Sequence, residues 1–354
     1  MQRVDAVAND PGGCGGMRGA ARLAVLVWAL VLAPLGARAE VPLEGRILFR
    51  SDLAPESTLR IELGEWTESE RAAVTALFAV LDENVPGLLA RASAAGAVSL
   101  YRTAGPSPQH PAAAWARRRH EASVIFRDDF FRSGRPNHLG VDYSNWLFVH
   151  EVVHLADPVG QIARSREWRA LIEPRIARVE ERLAARGLTV REAMFSYLDA
   201  PALEEGLPSV YAALSLHEAL SEYAAAYLFG ADFAFPEEIA EFLLKRLFSA
   251  PSPAEITIAT AYRKASRLNR EGDGAGAEAV LSAALAQVPD FAMGYYLRGY
   301  VRLAEQDYAG ADRDWEEALR LIPASDRRER EELATARAYL RERMSEGDQA
   351  DPGR

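Results

Sequence analysis

Phe148-Val149-His150-Glu151-Val152-Val153-His154-Leu155 decides how this chain is read. Two histidines stand four residues apart inside an apolar run. On a helix that spacing puts both imidazoles on one face, one turn apart. Two neutral imidazoles so placed suit a zinc ion, and Glu151 is positioned to act on a water bound there. The competing reading is a buried helix whose histidines only satisfy hydrogen bonds. The residues downstream argue against it.

The helix is expected from about Tyr143 to Asp157, ended by Pro158 and Gly160. Asp157 shares a side with Leu147, His150 and His154, and an orienting or helix-end role suits it better than metal ligation. Further on, Tyr211 to Leu228 reads as one strongly helical, nearly all-apolar stretch carrying Glu218 and Glu222 four apart. Carboxylates in a buried helix are costly unless paired or bound to metal. That cost connects this helix to the histidine helix. Glu218 is then the third ligand, and Glu222 accepts a hydrogen bond from a ligand imidazole and fixes its tautomer. The two roles could be exchanged, His217 is a less favoured third ligand, and a solvent-facing stripe is the plain alternative.

Upstream, residues 46–50 and 58–63 alternate like half-buried antiparallel strands with a turn near Pro55. Thr67 and Glu70 form a capping-box pattern opening a helix that Pro86 interrupts and that resumes to Ala94. Val98–Tyr101 and residues 122–127 are further strands, with a proline-rich loop over 105–111. The strand at 122–127 is the candidate for adding an extended peptide along its edge; the alternative is an ordinary interior strand. His110, His120 and His138 fall in or near loops and read as solvated. Residues 161–186 form a long charged helix, which Pro174 bends. The Glu204-Glu205 pair reads as a solvated loop.

From Pro251 the composition turns to alanine-rich helices with a 34-residue period. Residues 258–291 and 292–325 align without gaps, matching Ala265 with Gly299, Ala277 with Ala311, Leu281 with Trp315, Ala284 with Ala318 and Pro289 with Pro323. Small residues at such positions let paired helices approach. The pattern resembles tetratricopeptide repeats. Residues 326–344 read as a polar capping helix and 345–354 as a disordered tail. The segment at 238–249 is expected beneath the repeats. The repeats offer a surface for a protein partner or, equally, a buttress for the rest of the chain.

The 354 residues have 49% hydrophobic and 26% charged content, which fits a globular protein with a sizeable core. A formal charge of −10 argues against a nucleic-acid-binding role. Residues 1–39 read as a signal peptide: Arg18 and Arg22 precede the apolar run Leu23–Leu32, and Ala37-Arg38-Ala39 is an A-x-A cleavage signal. Met17 offers a second start of conventional spacing. Export to the periplasm or the exterior follows, with membrane attachment only if the segment stays uncleaved. The one cysteine, Cys14, precedes the apolar run, so the exported chain needs no disulfide.

His150-Glu151-x-x-His154 with a later Glu218-x-x-x-Glu222 resembles the glutamate-type zincin peptidases, and among them the anthrax lethal-factor and Pro-Pro endopeptidase group. His154-Leu155-Ala156-Asp157 matches the group's H-x-x-D; Val153 stands where the group commonly has glycine. The resemblance implies an α+β fold: a zincin-like domain over 40–250, with a small mixed or antiparallel sheet and a zinc helix. The all-α repeat module over 251–344 follows. It implies Zn²⁺ held by His150, His154 and Glu218, Glu151 as general base, and Tyr211, seven residues before Glu218, facing the reacting carbonyl. The expected function is an exported zinc metalloendopeptidase acting on peptide or protein substrates. Two alternatives stand beside it: a catalytically degenerate metal-binding scaffold or adaptor working through the repeats, and a hydrolase of non-peptide amides.

Overall fold

Short buried strands lie at the centre of the N-terminal half. The computed structural model describes residues 42–53, 61–104, 114–117, 121–132, 136–196, 198–230, 233–322 and 327–350. Among them four strands form one mixed sheet: β1 Ile47–Phe49, β2 Val98–Arg102, β3 Ala114–Arg117 and β4 Ser123–Phe126. The order is β1-β2-β4-β3. β1 runs parallel to β2, with Ile47 opposite Val98, and β2 runs parallel to β4, with Leu100 opposite Val124. β3 closes the sheet antiparallel to β4, with Ala116 opposite Val124. Every residue of β2 and β4 is buried, as expected of central strands covered on both faces.

Two strand expectations are corrected. Residues 47–49 pair in parallel with β2 rather than antiparallel with 58–63. Of that second segment the described part pairs with the sheet at an isolated bridge from Leu63 to Thr103, and Ile61 and Leu63 pack against Tyr101, Trp115 and Ile125. Alternation identifies a half-buried strand but not its partner. The strand at 122–127 is interior, flanked by β2 and β4's other neighbour β3, so it offers no free edge. The edges are β1 and β3, and to β3 the sequence reading assigned nothing.

The helices, numbered here where they run seven residues or more, begin with α1 Glu68–Asn84 and α2 Pro86–Ala92. Thr67 and Glu70 form the full capping box, and Pro86 opens α2. Gly87 is where α2 touches the segment after residue 242: a Cβ there would sit 2.0 Å from the Phe248 carbonyl oxygen. α3 Tyr143–Ala156 follows, then α4 Arg166–Ala184 and α5 Leu216–Phe229. One apolar core joins α1, α2, the sheet, α3, α4 and α5. The segment at 237–247 belongs to this core, through Ile239, Phe242, Leu243 and Leu247, rather than lying beneath the C-terminal helices.

α4 starts at Arg166, capped by Ser165, so residues 161–164 stand outside it and Pro174 lies within it. Glu205 is not solvated: Arg178 and Arg182 hold its carboxylate at 2.5 Å each. His138 is half-buried and its ring bonds the Pro208 carbonyl.

The C-terminal part is a row of helices: α6 Pro253–Arg270, α7 Gly274–Gln287, α8 Ala292–Ala304, α9 Tyr308–Leu321 and α10 Arg327–Ala350. The 34-residue period thus corresponds to two helical hairpins, α6–α7 and α8–α9. The aligned small and large positions meet as spacing demands. Gly299 seats Trp315, whose Nε1 would lie 2.3 Å from a Cβ at 299. α10 continues six residues past the expected end at 344; no proline interrupts it, and one glycine costs a helix only about 1 kcal/mol.

The described residues, from Pro42 onward, form one compact unit. Val159, just past α3, shares an apolar cluster with Ile258, Ala261, Ala284, Leu285 and Phe291 of the C-terminal helices. Arg91 on α2 donates to the Ser249 carbonyl at 3.1 Å and to Glu255 at 2.8 Å. Among the described residues no single helix is long and apolar enough to cross a bilayer. Residues 1–39, read as a signal peptide, Pro55, residues 105–111, His110, His120, Pro323 and residues 351–354 lie outside the described residues.

Candidate metal centre

α3 is fixed at both ends by its own sequence. Asp142 accepts the amides of Ser144 and Asn145 at its start, satisfying orphan donors of the first turn. At its end Asp157 accepts the amides of Ile162 and Ala163 at 3.2 and 2.9 Å. The helix-end role expected for Asp157 is therefore observed. Between the caps the helix is buried almost throughout, and His150 and His154 project from the face that looks toward α5.

The stretch 211–228 is not one helix. Tyr211–Leu214 is a single 3-10 turn, and Ser215 breaks the chain with an extended backbone. Ser215 then caps α5, accepting the Glu218 amide at 3.2 Å. Ser215-Leu216-His217-Glu218 has the S-x-x-E form of a capping box, but only the serine half forms. The Glu218 carboxylate turns instead toward the histidines. This cap signal was present in the sequence and outweighs helix propensity there. Tyr211 still reaches the site, by the turn rather than by helical spacing: its ring centroid lies 5.5 Å from that of His150.

Three donor atoms converge. His150 Nε2 and His154 Nε2 are 3.1 Å apart, and Glu218 Oε2 lies 3.0 Å from the first and 3.3 Å from the second. Tetrahedral zinc with bonds of about 2.0–2.1 Å separates its donors by about 3.3 Å. Glu218 Oε2 is buried against the two imidazoles. Two nitrogens and a carboxylate oxygen sharing one small space are a donor set that fits a metal ion. His217 is not in this set; its ring packs against Gly160, where a Cβ would lie 2.4 Å away.

Glu222 sits behind His150. Its Oε1 accepts from His150 Nδ1 at 2.9 Å and from the Trp146 indole at 2.9 Å, and Ser209 donates to Oε2. The bond to Nδ1 leaves Nε2 facing the site. Of the two carboxylates, Glu218 is thus the one at the donor cluster and Glu222 the one that orients an imidazole. The sequence reading missed Trp146 and Ser209. Trp146, one turn before His150, carried a signal: a buried indole N–H needs an acceptor. Ser209 carried none.

Glu151 is buried, and its Oε2 accepts the Ala116 amide of β3 at 2.7 Å. The edge strand therefore lies beside Glu151. Burial raises the Glu151 carboxyl above its ordinary range, against the pull of both imidazoles. Burial opposes ionisation of Glu218 too, but the two histidines overcome it and hold the carboxyl well below the usual carboxylate range. Burial would lower His150, yet Glu218 and Glu222 hold it well above its ordinary value. Burial, followed by the charges of Glu218, Glu151 and Glu222, raises the Tyr211 phenol, so it stays a proton donor. The site is not sealed: Glu218 is 22% and His154 16% exposed at the side chain, and Tyr211 is 37% exposed.

No family model, curated protein or solved structure matches this chain.

Proposed function

We propose that the chain is an exported zinc-dependent metallopeptidase of the glutamate-ligand zincin type. The observation that carries this reading is the convergence of His150 Nε2, His154 Nε2 and Glu218 Oε2 within 3.0 to 3.3 Å of one another. These three residues would hold Zn²⁺, which when bound supplies Lewis-acid polarisation and an acidified water. The partial exposure of Glu218 and His154 favours a catalytic site, which keeps one position open, over a closed structural one.

The remaining steps belong to the chain. Glu151, raised by burial, is a stronger proton acceptor near neutrality than an ordinary carboxylate. It takes the proton of the attacking water and returns it to the leaving amine. The Tyr211 phenol donates to the oxygen on which negative charge develops. Glu222 keeps His150 in one tautomer. β3 ends the sheet beside Glu151, and an extended peptide can add to a sheet edge by main-chain bonds. The two C-terminal hairpins are read as tetratricopeptide repeats, and residues 1–39 as the export signal.

The test is cleavage of an unbiased peptide library by wild type and Glu151→Gln. The variant should retain zinc and lose turnover by at least a hundredfold, since one general base is worth about 10²–10⁴. Full activity in Glu151→Gln would overturn the hydrolytic reading.

A further inference from the structure

We propose that Arg263, in the C-terminal helices, is a positioning residue for the metal site: its guanidinium holds the end of α3, and with it His154. The inference deepens the metal-site reading and rests on it.

Arg263 lies on α6, 109 positions after His154 in the chain, and is 5% exposed. Its Nη2 donates to the Leu155 carbonyl at 2.9 Å and its Nη1 to the Ala92 carbonyl at 3.4 Å. Leu155 directly follows His154. The last four carbonyls of a helix have no partner within it. On α3 the Val153 carbonyl is taken by the Asp157 amide at 3.0 Å, and the Leu155 carbonyl by Arg263. Leu155 is fully buried, so water does not replace the guanidinium. Ala92 ends α2, which packs on α3, so one cation closes two helix ends at once. Positive charge at a helix C-terminus opposes the negative end of the dipole. Burial pushes the guanidinium down to about 10, which still leaves it charged at neutral pH.

Asp157 fixes the turn after α3 from within the chain; Arg263 fixes it from the neighbouring helix. Without Arg263 the Leu155 carbonyl, one residue after His154, is left buried without this partner. A shift of the last turn moves one of three converging donors, which a tetrahedral ion does not tolerate. Arg91 provides a matched comparison. It bridges the same seam with a buried guanidinium but bonds Ser249 and Glu255 rather than α3.

The experiment measures the zinc dissociation constant by chelator competition, and the unfolding midpoint with and without zinc, on the full mature chain. Arg263→Met should weaken zinc at least tenfold and shrink the zinc-induced rise in midpoint. Arg91→Met should lower both midpoints alike and leave zinc affinity unchanged. Arg263→Lys, which keeps charge but reaches one carbonyl, should fall between wild type and Arg263→Met. If Arg263→Met does not fold, Arg263→Lys decides alone, with a threefold or greater weakening expected. Wild-type affinity in the folded Arg263 variants overturns the proposal. A wild-type chain that binds no zinc defeats the metal-site reading itself, a distinct result.

Discussion

His150 is held between two carboxylates, Glu218 at Nε2 and Glu222 at Nδ1. In the metal-free chain this pair holds its proton to a pH well above the ordinary value of 6.5. Such a raised group stabilises the fold fully below 6.5, and that contribution is lost as pH rises through the native value. Zinc must displace the same proton, so the two effects run in opposite directions. The midpoint of unfolding of EDTA-treated protein should fall as pH rises above 6.5, while the increment given by added zinc grows over the same window. A zinc increment flat with pH would contradict this. The histidine pair, Glu151, Glu218 and Glu222 were legible in the sequence, because buried charge at helical spacing has few explanations. Trp146 carried a signal that did not name its partner, and Ser209 and the Ala116 amide carried none. The roles of these last two depend on contacts spanning 13 and 35 residues, which no local pattern encodes.

Among the elements, local signals held where they acted alone and failed where two competed. The capping box at Thr67 and the break at Pro86 formed as expected. At 211–228 helix propensity favoured one helix, but Ser215 capped a shorter one, and only the structure shows the break. The interior place of β4 was not readable, since an apolar run describes burial and not neighbours. The repeat period was readable because small and large residues alternate in space. Gly299 beneath Trp315 is the clearest instance. Gly299→Ala should destabilise the chain by about 1–3 kcal/mol, the usual cost of overpacking. Denaturant titration checks it, and an unchanged midpoint would mean that the α8–α9 hairpin is not closely packed at this point.

In the molecule as a whole, the composition change at Pro251 does not mark a seam between independent bodies. Arg91 ties the C-terminal helices to α2, and Val159 and Arg263 tie them to the end of α3. A chain ending at Ala250 would expose Val159 and Leu155's carbonyl and strip Arg91 of Glu255. It should therefore be insoluble or lower in unfolding midpoint by many degrees, as judged by soluble yield and calorimetry. A truncated chain as stable as the full one would show the repeats to be an appendage. Period and composition revealed the repeats but could not reveal this docking, because the bonds join residues more than 100 positions apart.

The account stands on three donor atoms that meet at one point. The measurement that tests it most directly is metal content of the mature chain from Glu40, by elemental analysis of wild type and Glu218→Ala purified alike. One zinc per chain in the wild type, lost in Glu218→Ala, is the expected result. A wild-type chain that carries no zinc and takes none up would contradict the account at its centre.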